Sequence, residues 1–292
     1  MVRMQRKYGK QSCRIVVLLS LLLILAMLPV EAASYTTEFL NISVNLKHGT
    51  VYDEARFTKP AGDGPFPLII LTHGTPRLAE ERKNTDVTSY YKAQTEYFLE
   101  QGYAVLFVVR RGFGASMAPY AENLTLSNGT KDYWGAGLEA AKDLRAAVDY
   151  AKSRQDVEKT KIVLLGQSTG GHSVIATGSL NLEGICGIIN FAGGRGSYAP
   201  DQVRDENNLI DSMARYGKTS TVPTLWLYSA NDHYFRPTLA RAMYKAYTES
   251  GGQAVFIQLP PYGNDGHRSF VGNRDAWSSY VEKFLTELKG KA

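Results

Sequence analysis

The stretch KIVLLGQSTGGHSV, residues 161–174, sets one serine in surroundings suited to nucleophilic chemistry. Four apolar residues, Ile162 to Leu165, read as a buried strand; Gly166-Gln167-Ser168-Thr169-Gly170 follows, and apolar positions then return at helical spacing. Ser168 therefore stands where a strand must turn sharply into a helix. Glycines two residues to either side allow the turn to be tight, because a side chain at either position would collide with the neighbouring strand or helix. The turn aims the hydroxyl outward, at a helix N-terminus whose amides favour developing negative charge. As a bare pattern G-x-S-x-G is a common coincidence. Between a buried strand and a helix it marks a nucleophile elbow, fitted to acyl transfer through a covalent intermediate.

A serine hydroxyl is a weak nucleophile until a base touches it and an acid orients that base. The chain has five histidines. His48 falls in the first predicted hairpin, His73 ends a strand where it can order a loop, and His172 belongs to the serine's own helix. His267, in the loop PYGNDGHRSF and flanked by flexible Gly263 and Gly266, can hang over the edge where Ser168 lies and is favoured; His233 competes. For the acid, Asp232 in TLWLYSANDHYF projects just past the end of a buried strand. Its rival Asp265, two residues from His267, reads better as a turn former. Donors for an oxyanion would be backbone amides: Thr169, next after the nucleophile, and Thr75, after His73-Gly74.

These groups need a scaffold that brings several strand ends together. After residue 33, two alternating runs, 37–46 and 50–57, read as an antiparallel strand pair. Strands and helices then alternate. Buried strands are expected at 67–74, 103–109, 161–166, 184–193, 224–229 and 254–260. Helices are expected at 86–101 and 133–154, from Ser168 onward, at 237–250 and at 275–288. Such alternation demands right-handed crossovers and a mostly parallel sheet covered on both faces, with ligands bound beyond the strands' carboxyl ends. Residues 195–221 interrupt the rhythm with a polar stretch and one short helical pattern near 207–216. They offer either a small lid over the carboxyl edge or an ordinary long connection.

Residues 1–33 carry the three parts of a secretion signal: five basic residues, an apolar run at 15–30, and small residues near a cleavage site at Ala32-Ala33. The expectation is a secreted or periplasmic protein, with an uncleaved membrane anchor as the alternative, and a single catalytic domain over 34–292. The chain's net charge is +5, of which residues 1–32 hold five basic groups and one acidic group. The remainder, near neutral, does not have the basic surface that nucleic-acid binding requires. Of two cysteines Cys13 lies in the leader, which leaves Cys186 alone and excludes an internal disulfide after its removal. No metal-ligand spacing and no nucleotide-binding glycine loop is present; RRGFGAS has a G-x-G but not the third glycine. No cofactor is expected.

With these residues in place the chain resembles the α/β-hydrolase superfamily, and within it the dienelactone hydrolase and serine-peptidase-like branch. The resemblance covers roughly residues 64–288. It rests on THG at 72–74, RRGFGAS at 110–116, GQSTGG at 166–171, the strand leading to Asp232, and DGH at 265–267. It implies a Ser168-Asp232-His267 triad, no cofactor, and a small-molecule ester or related acyl substrate. Two departures bear on substrate. Val109 stands where relatives often carry an aspartate before Arg-Gly, and Ser168 stands where dienelactone hydrolases in the narrow sense use cysteine. The first loosens any assignment of substrate by analogy; the second turns the reading away from dienelactone and toward ester or amide hydrolysis, with peptidase and acyltransferase chemistry and a non-catalytic binding protein as rivals. Arg111, Phe113, Tyr234 and Tyr262 fall near the expected carboxyl-edge loops. They suggest an aromatic pocket with an arginine for a substrate carboxylate.

Overall fold

The structure, a computed structural model, describes residues 34–290; the basic and apolar leader at 1–33 lies outside the described residues. In chain order the strands are β1 (Tyr35–Leu46), β2 (Gly49–Pro60), β3 (Phe66–Thr72), β4 (Ala104–Val108), β5 (Val157–Gln167), β6 (Ile185–Phe191), β7 (Ser197–Ala199), β8 (Gln202–Val203), β9 (Thr224–Ser229) and β10 (Ala254–Leu259). The helices are α1 (Lys92–Glu100), α2 (Tyr133–Ser153), α3 (Thr169–Gly178), α4 (Glu206–Gly217), α5 (Pro237–Glu249), α6 (Ser269–Gly272) and α7 (Arg274–Lys289).

Eight strands form one sheet in the order β1-β2-β4-β3-β5-β6-β9-β10. β1 and β2 pair antiparallel from Tyr35 opposite Pro60 to Leu46 opposite Gly49, and β2 runs antiparallel to β4. Every later pairing in the sheet is parallel, as expected from the alternation of strands and helices. The central strands read as unbroken apolar runs because both of their faces are covered. Along β3, Leu68 and Ile70 enter one core while Ile69 and Leu71 enter the other. β5 divides Ile162 and Leu164 from Val163 and Leu165 in the same way. The first core is closed by α2, α3, α4 and α5 through residues such as Leu144, Val174, Leu209 and Leu239. The second is closed by α1 and α7 through Phe98, Trp277 and Val281.

Two segments differ from the sequence reading or refine it. The helix expected over 86–101 begins only at Lys92. The Asp86 carboxylate accepts from the amide and hydroxyl of Thr88, both at 2.9 Å, closing a turn, and Tyr91 enters the helix at φ 53°. A local side-chain bond of this kind gives the backbone an alternative to the helical ladder. Residues 195–221 contain the small β7-β8 hairpin and α4, whose apolar side packs on α2 and α5. No helix among the described residues is long and apolar enough to cross a membrane.

Candidate active site

The carboxyl ends of β3, β5 and β9, with the loop that follows β10, converge on Ser168. That residue has φ 57° and ψ −125°, a conformation that costs a non-glycine residue about 1–3 kcal/mol. The surroundings over-determine it. Its amide donates to the Phe191 carbonyl at 2.9 Å, and its carbonyl accepts from the amides of His172 and Gly194, both at 3.1 Å. The flanking glycines have steric reasons. A Cβ on Gly166 would lie 2.2 Å from the Gly170 backbone, and one on Gly170 would lie 2.6 Å from the His73 carbonyl oxygen. The β3 loop comes so close that a Cβ on Gly74 would stand 2.9 Å from that of Ser168.

His267 and Asp232 meet. Asp232 Oδ2 accepts from His267 Nδ1 at 3.1 Å, while its Oδ1 accepts from the amides of Tyr234 and Phe235 at 2.7 and 2.9 Å. A carboxylate so bonded fixes the proton on Nδ1 and leaves Nε2 as the basic nitrogen. The imidazole is stacked on the Tyr234 ring at 4.0 Å between centroids and 9° between planes, and Phe235 meets it edge-on. Asp265 takes a different place: its Oδ1 accepts from the amides of His267 and His233, both at 3.0 Å, so it caps the turn that presents His267. His233 is half-buried and pairs with Asp201 at 2.9 Å.

The other two histidines near the elbow brace it. His73 is fully buried; its Nδ1 donates to the Gly74 carbonyl and its Nε2 accepts from the Arg110 amide. Burial, and the Arg110 guanidinium after it, push its pKa down to about 3, so it stays neutral. His172 accepts from Arg195 at Nδ1 and directs Nε2 at Ser212, and burial and Arg195 hold it well below its ordinary value.

Thr75 and Thr169 face one another, their hydroxyls 2.7 Å apart. Neither amide is engaged by a backbone carbonyl in the surrounding turns. Arg110 ties these two loops together. Its guanidinium donates to the Thr72 hydroxyl and the His73 carbonyl at 2.7 Å and to the Thr169 hydroxyl at 3.2 Å. Glu122 lies between Arg110 and Arg195, at 2.7 Å from each. Burial opposes its ionisation, yet the two guanidiniums hold its pKa down at about 2.

Two cavities, of about 360 and 460 Å³, open at Ser168 and share Thr75, Pro76 and Tyr234. His267, Arg268 and Tyr90 line the larger one, whereas Thr169, Tyr133 and Arg195 line the smaller. Of the pocket residues expected from sequence, Tyr234 lines both. The other three lie elsewhere. Arg111 is buried against Asp143 and the Glu139 carbonyl, Phe113 is enclosed between His73 and Tyr120, and Tyr262 packs by Gly272. Sequence reading also passed over Gln167, Glu122, Arg195 and Arg77. Gln167 occupies the variable position before the nucleophile; it accepts from the Tyr91 hydroxyl at 2.7 Å and donates to the His267 carbonyl at 2.9 Å. No periodicity or motif distinguishes such a residue, although its place beside Ser168 was a reason to look. Among the described residues no group of three or more His, Cys, Asp and Glu side chains converges as a metal site.

Comparison with known proteins agrees with this architecture. A family model described as serine aminopeptidase, S33, matches residues 84–215. The chain is similar to the quorum-quenching protein AidA of Acinetobacter baumannii, 26% identical over 136 residues, covering 47% of this chain and 38% of that protein. It is also similar to the uncharacterized protein YfhR of Salmonella typhi, 29% identical over 165 residues, covering 49% of this chain and 55% of that one. The chain thus spans little more than half the length of these relatives, or less. Among solved structures, the Pyrococcus furiosus esterase Pf2001 superposes with a TM-score of 0.59 at 17% identity, over 86% of this chain and 92% of that one. The Pyrococcus horikoshii acylaminoacyl peptidase superposes with a TM-score of 0.64 at 16% identity, over 88% of this chain and 42% of that one. The chain carries the α/β-hydrolase fold, which esterases and peptidases share.

Proposed function

We propose that the protein is a serine hydrolase that cleaves carboxylic esters through an acyl-enzyme. The observation that carries this reading is the meeting of the His267-Asp232 pair and the strained Ser168 at one cavity. In the proposed reaction His267 Nε2 takes the proton from Ser168 Oγ as that oxygen bonds to the acyl carbon. The amides of Thr75 and Thr169 hold the oxyanion. The intermediate collapses, the C–O bond to the alcohol breaks, and the imidazolium returns the proton to the leaving oxygen. Water then repeats the sequence on the acyl-enzyme and releases the acid. Asp232 holds the imidazole tautomer throughout.

The aminopeptidase likeness raises a second reading. A free α-ammonium would call for a free carboxylate near the serine; of the two carboxylates that line the smaller cavity, Glu122 is held by Arg110 and Arg195 and Asp132 caps α2 through the Gly135 amide. That arrangement favours ester over aminopeptidase substrates. A fluorophosphonate probe is expected to label Ser168, with the label lost in His267→Ala. Ser168→Ala is expected to abolish turnover with little change in thermal unfolding. An unlabelled Ser168, or turnover that survives its removal, would overturn the assignment.

A further inference from the structure

We propose that the smaller cavity at Ser168 is an acyl subsite built for an acid that carries a second, negatively charged group. This inference rests on the serine-hydrolase reading and adds the substrate class. The orientation follows from the chemistry. The imidazolium must hand its proton to the leaving oxygen, so the leaving group lies on the His267 side, in the larger cavity. The acyl chain is left with the cavity that Ser168 shares with Thr169, Tyr133 and Arg195, and which His267 does not line.

That cavity is cationic. Arg77, Lys131, Arg195 and Arg204 line it, against the carboxylates of Glu122 and Asp132. Glu122 is neutralised from both sides by Arg110 and Arg195. Asp132 caps α2, accepting from the Gly135 amide at 2.8 Å. Asp205 stands nearby, its carboxylate taking the Lys131 amide. Arg77, Lys131 and Arg204 have no ion-pair partner among the described residues. Arg77 bonds only the Ser197 hydroxyl and stacks on Tyr234, and the Lys131 ammonium donates to the Asn123 side chain at 2.8 Å. Four cations against two carboxylates in a concave wall leave an excess positive potential that an anion relieves. The larger cavity carries one cation, the exposed Arg268. The charge asymmetry between the two cavities therefore assigns the anion to the acyl side.

The test uses two matched ester pairs. One compares p-nitrophenyl hydrogen adipate with its methyl ester, so that charge changes only on the acyl side. The other compares 4-carboxyphenyl pentanoate with its methyl ester, so that charge changes only on the alcohol side. Active enzyme is counted by fluorophosphonate titration. The acyl-side charge is expected to raise kcat/KM about tenfold, the discrimination of one charge-assisted hydrogen bond, and the alcohol-side charge by less than about threefold. The double variant Arg204→Gln, Lys131→Gln should cut the acyl-side ratio about fivefold, and about 0.5 M salt should cut it in the parent protein. An acyl-side ratio of one or below, an equal or larger alcohol-side ratio, or a ratio unmoved by the double variant would overturn the subsite while leaving the serine hydrolase intact. Failure to cleave all four esters with Ser168 unlabelled would remove the reaction itself.

Discussion

At the scale of single residues, the candidate site separates groups that act from groups that hold them. Ser168, His267 and Asp232 could be picked out from sequence because each combines a chemically suitable type with a position just past a buried strand. Gln167 could not, since its role depends on two partners, Tyr91 and His267, that lie 76 and 100 positions away along the chain. It acts through the His267 backbone rather than on substrate, and so is a positioning residue. Gln167→Ala should lower kcat by about tenfold with KM little changed, and cost about 1–2 kcal/mol in stability through the lost buried hydrogen bonds. Tyr91→Phe, which leaves the Gln167 bond to His267 in place, should cost less in kcat. Steady-state kinetics beside urea unfolding would check both. A pure KM effect in Gln167→Ala would show that it does not position the imidazole.

At the scale of elements, one tight junction sets the geometry. β5 turns into α3 through Ser168, and the loop from β3 lies against that turn so closely that Gly170 has the His73 and Thr72 carbonyls where a Cβ would go. Gly170→Ala must push β3 and α3 apart, which costs about 1–3 kcal/mol as overpacking and separates the amides of Thr75 and Thr169. The expected result is a folded protein with a lowered melting temperature and kcat reduced more than tenfold, read by thermal unfolding and ester turnover. Wild-type kcat in Gly170→Ala would contradict the oxyanion role given to these loops. The strands themselves were legible because apolar runs covered on both faces have few other solutions. The start of α1 was not legible, because Asp86 closes a local turn that competes with the helix.

At the scale of the whole molecule, buried charge is concentrated behind the site, and one member of it is not matched. Asp53 of β2 is fully buried, and neither of its carboxyl oxygens has a hydrogen-bond partner. Burial, and then the Asp143 carboxylate, push its pKa up to about 9, with Glu122 adding to this and Arg111 and Arg110 opposing it. The folded protein therefore holds a proton there that the unfolded chain releases near the ordinary aspartate value of 3.8. A folded-state pKa above the unfolded one favours folding fully only below the lower value, and the contribution fades as pH rises toward the higher one. Asp53→Asn should thus be near neutral in stability at about pH 4 and stabilising by about 1–3 kcal/mol at about pH 8, measured as melting temperature across that range. A gain that does not grow with pH would mean that Asp53 is ionised in the folded state. What the sequence by itself determined is the alternation of strand and helix, the tight turn at Ser168, and the placing of Ser168, Asp232 and His267 just past strand ends, because these follow from local steric and periodic rules. Only the tertiary structure decided which arginines face the cavity. Arg111 and Phe113 turn inward while Arg77, from the loop after β3, and Arg195 and Arg204, from either side of the β7-β8 hairpin, line the cavity. Side-chain direction at a loop is set by whichever partner is nearest once the sheet has formed, and for Arg111 that partner is Asp143 on α2.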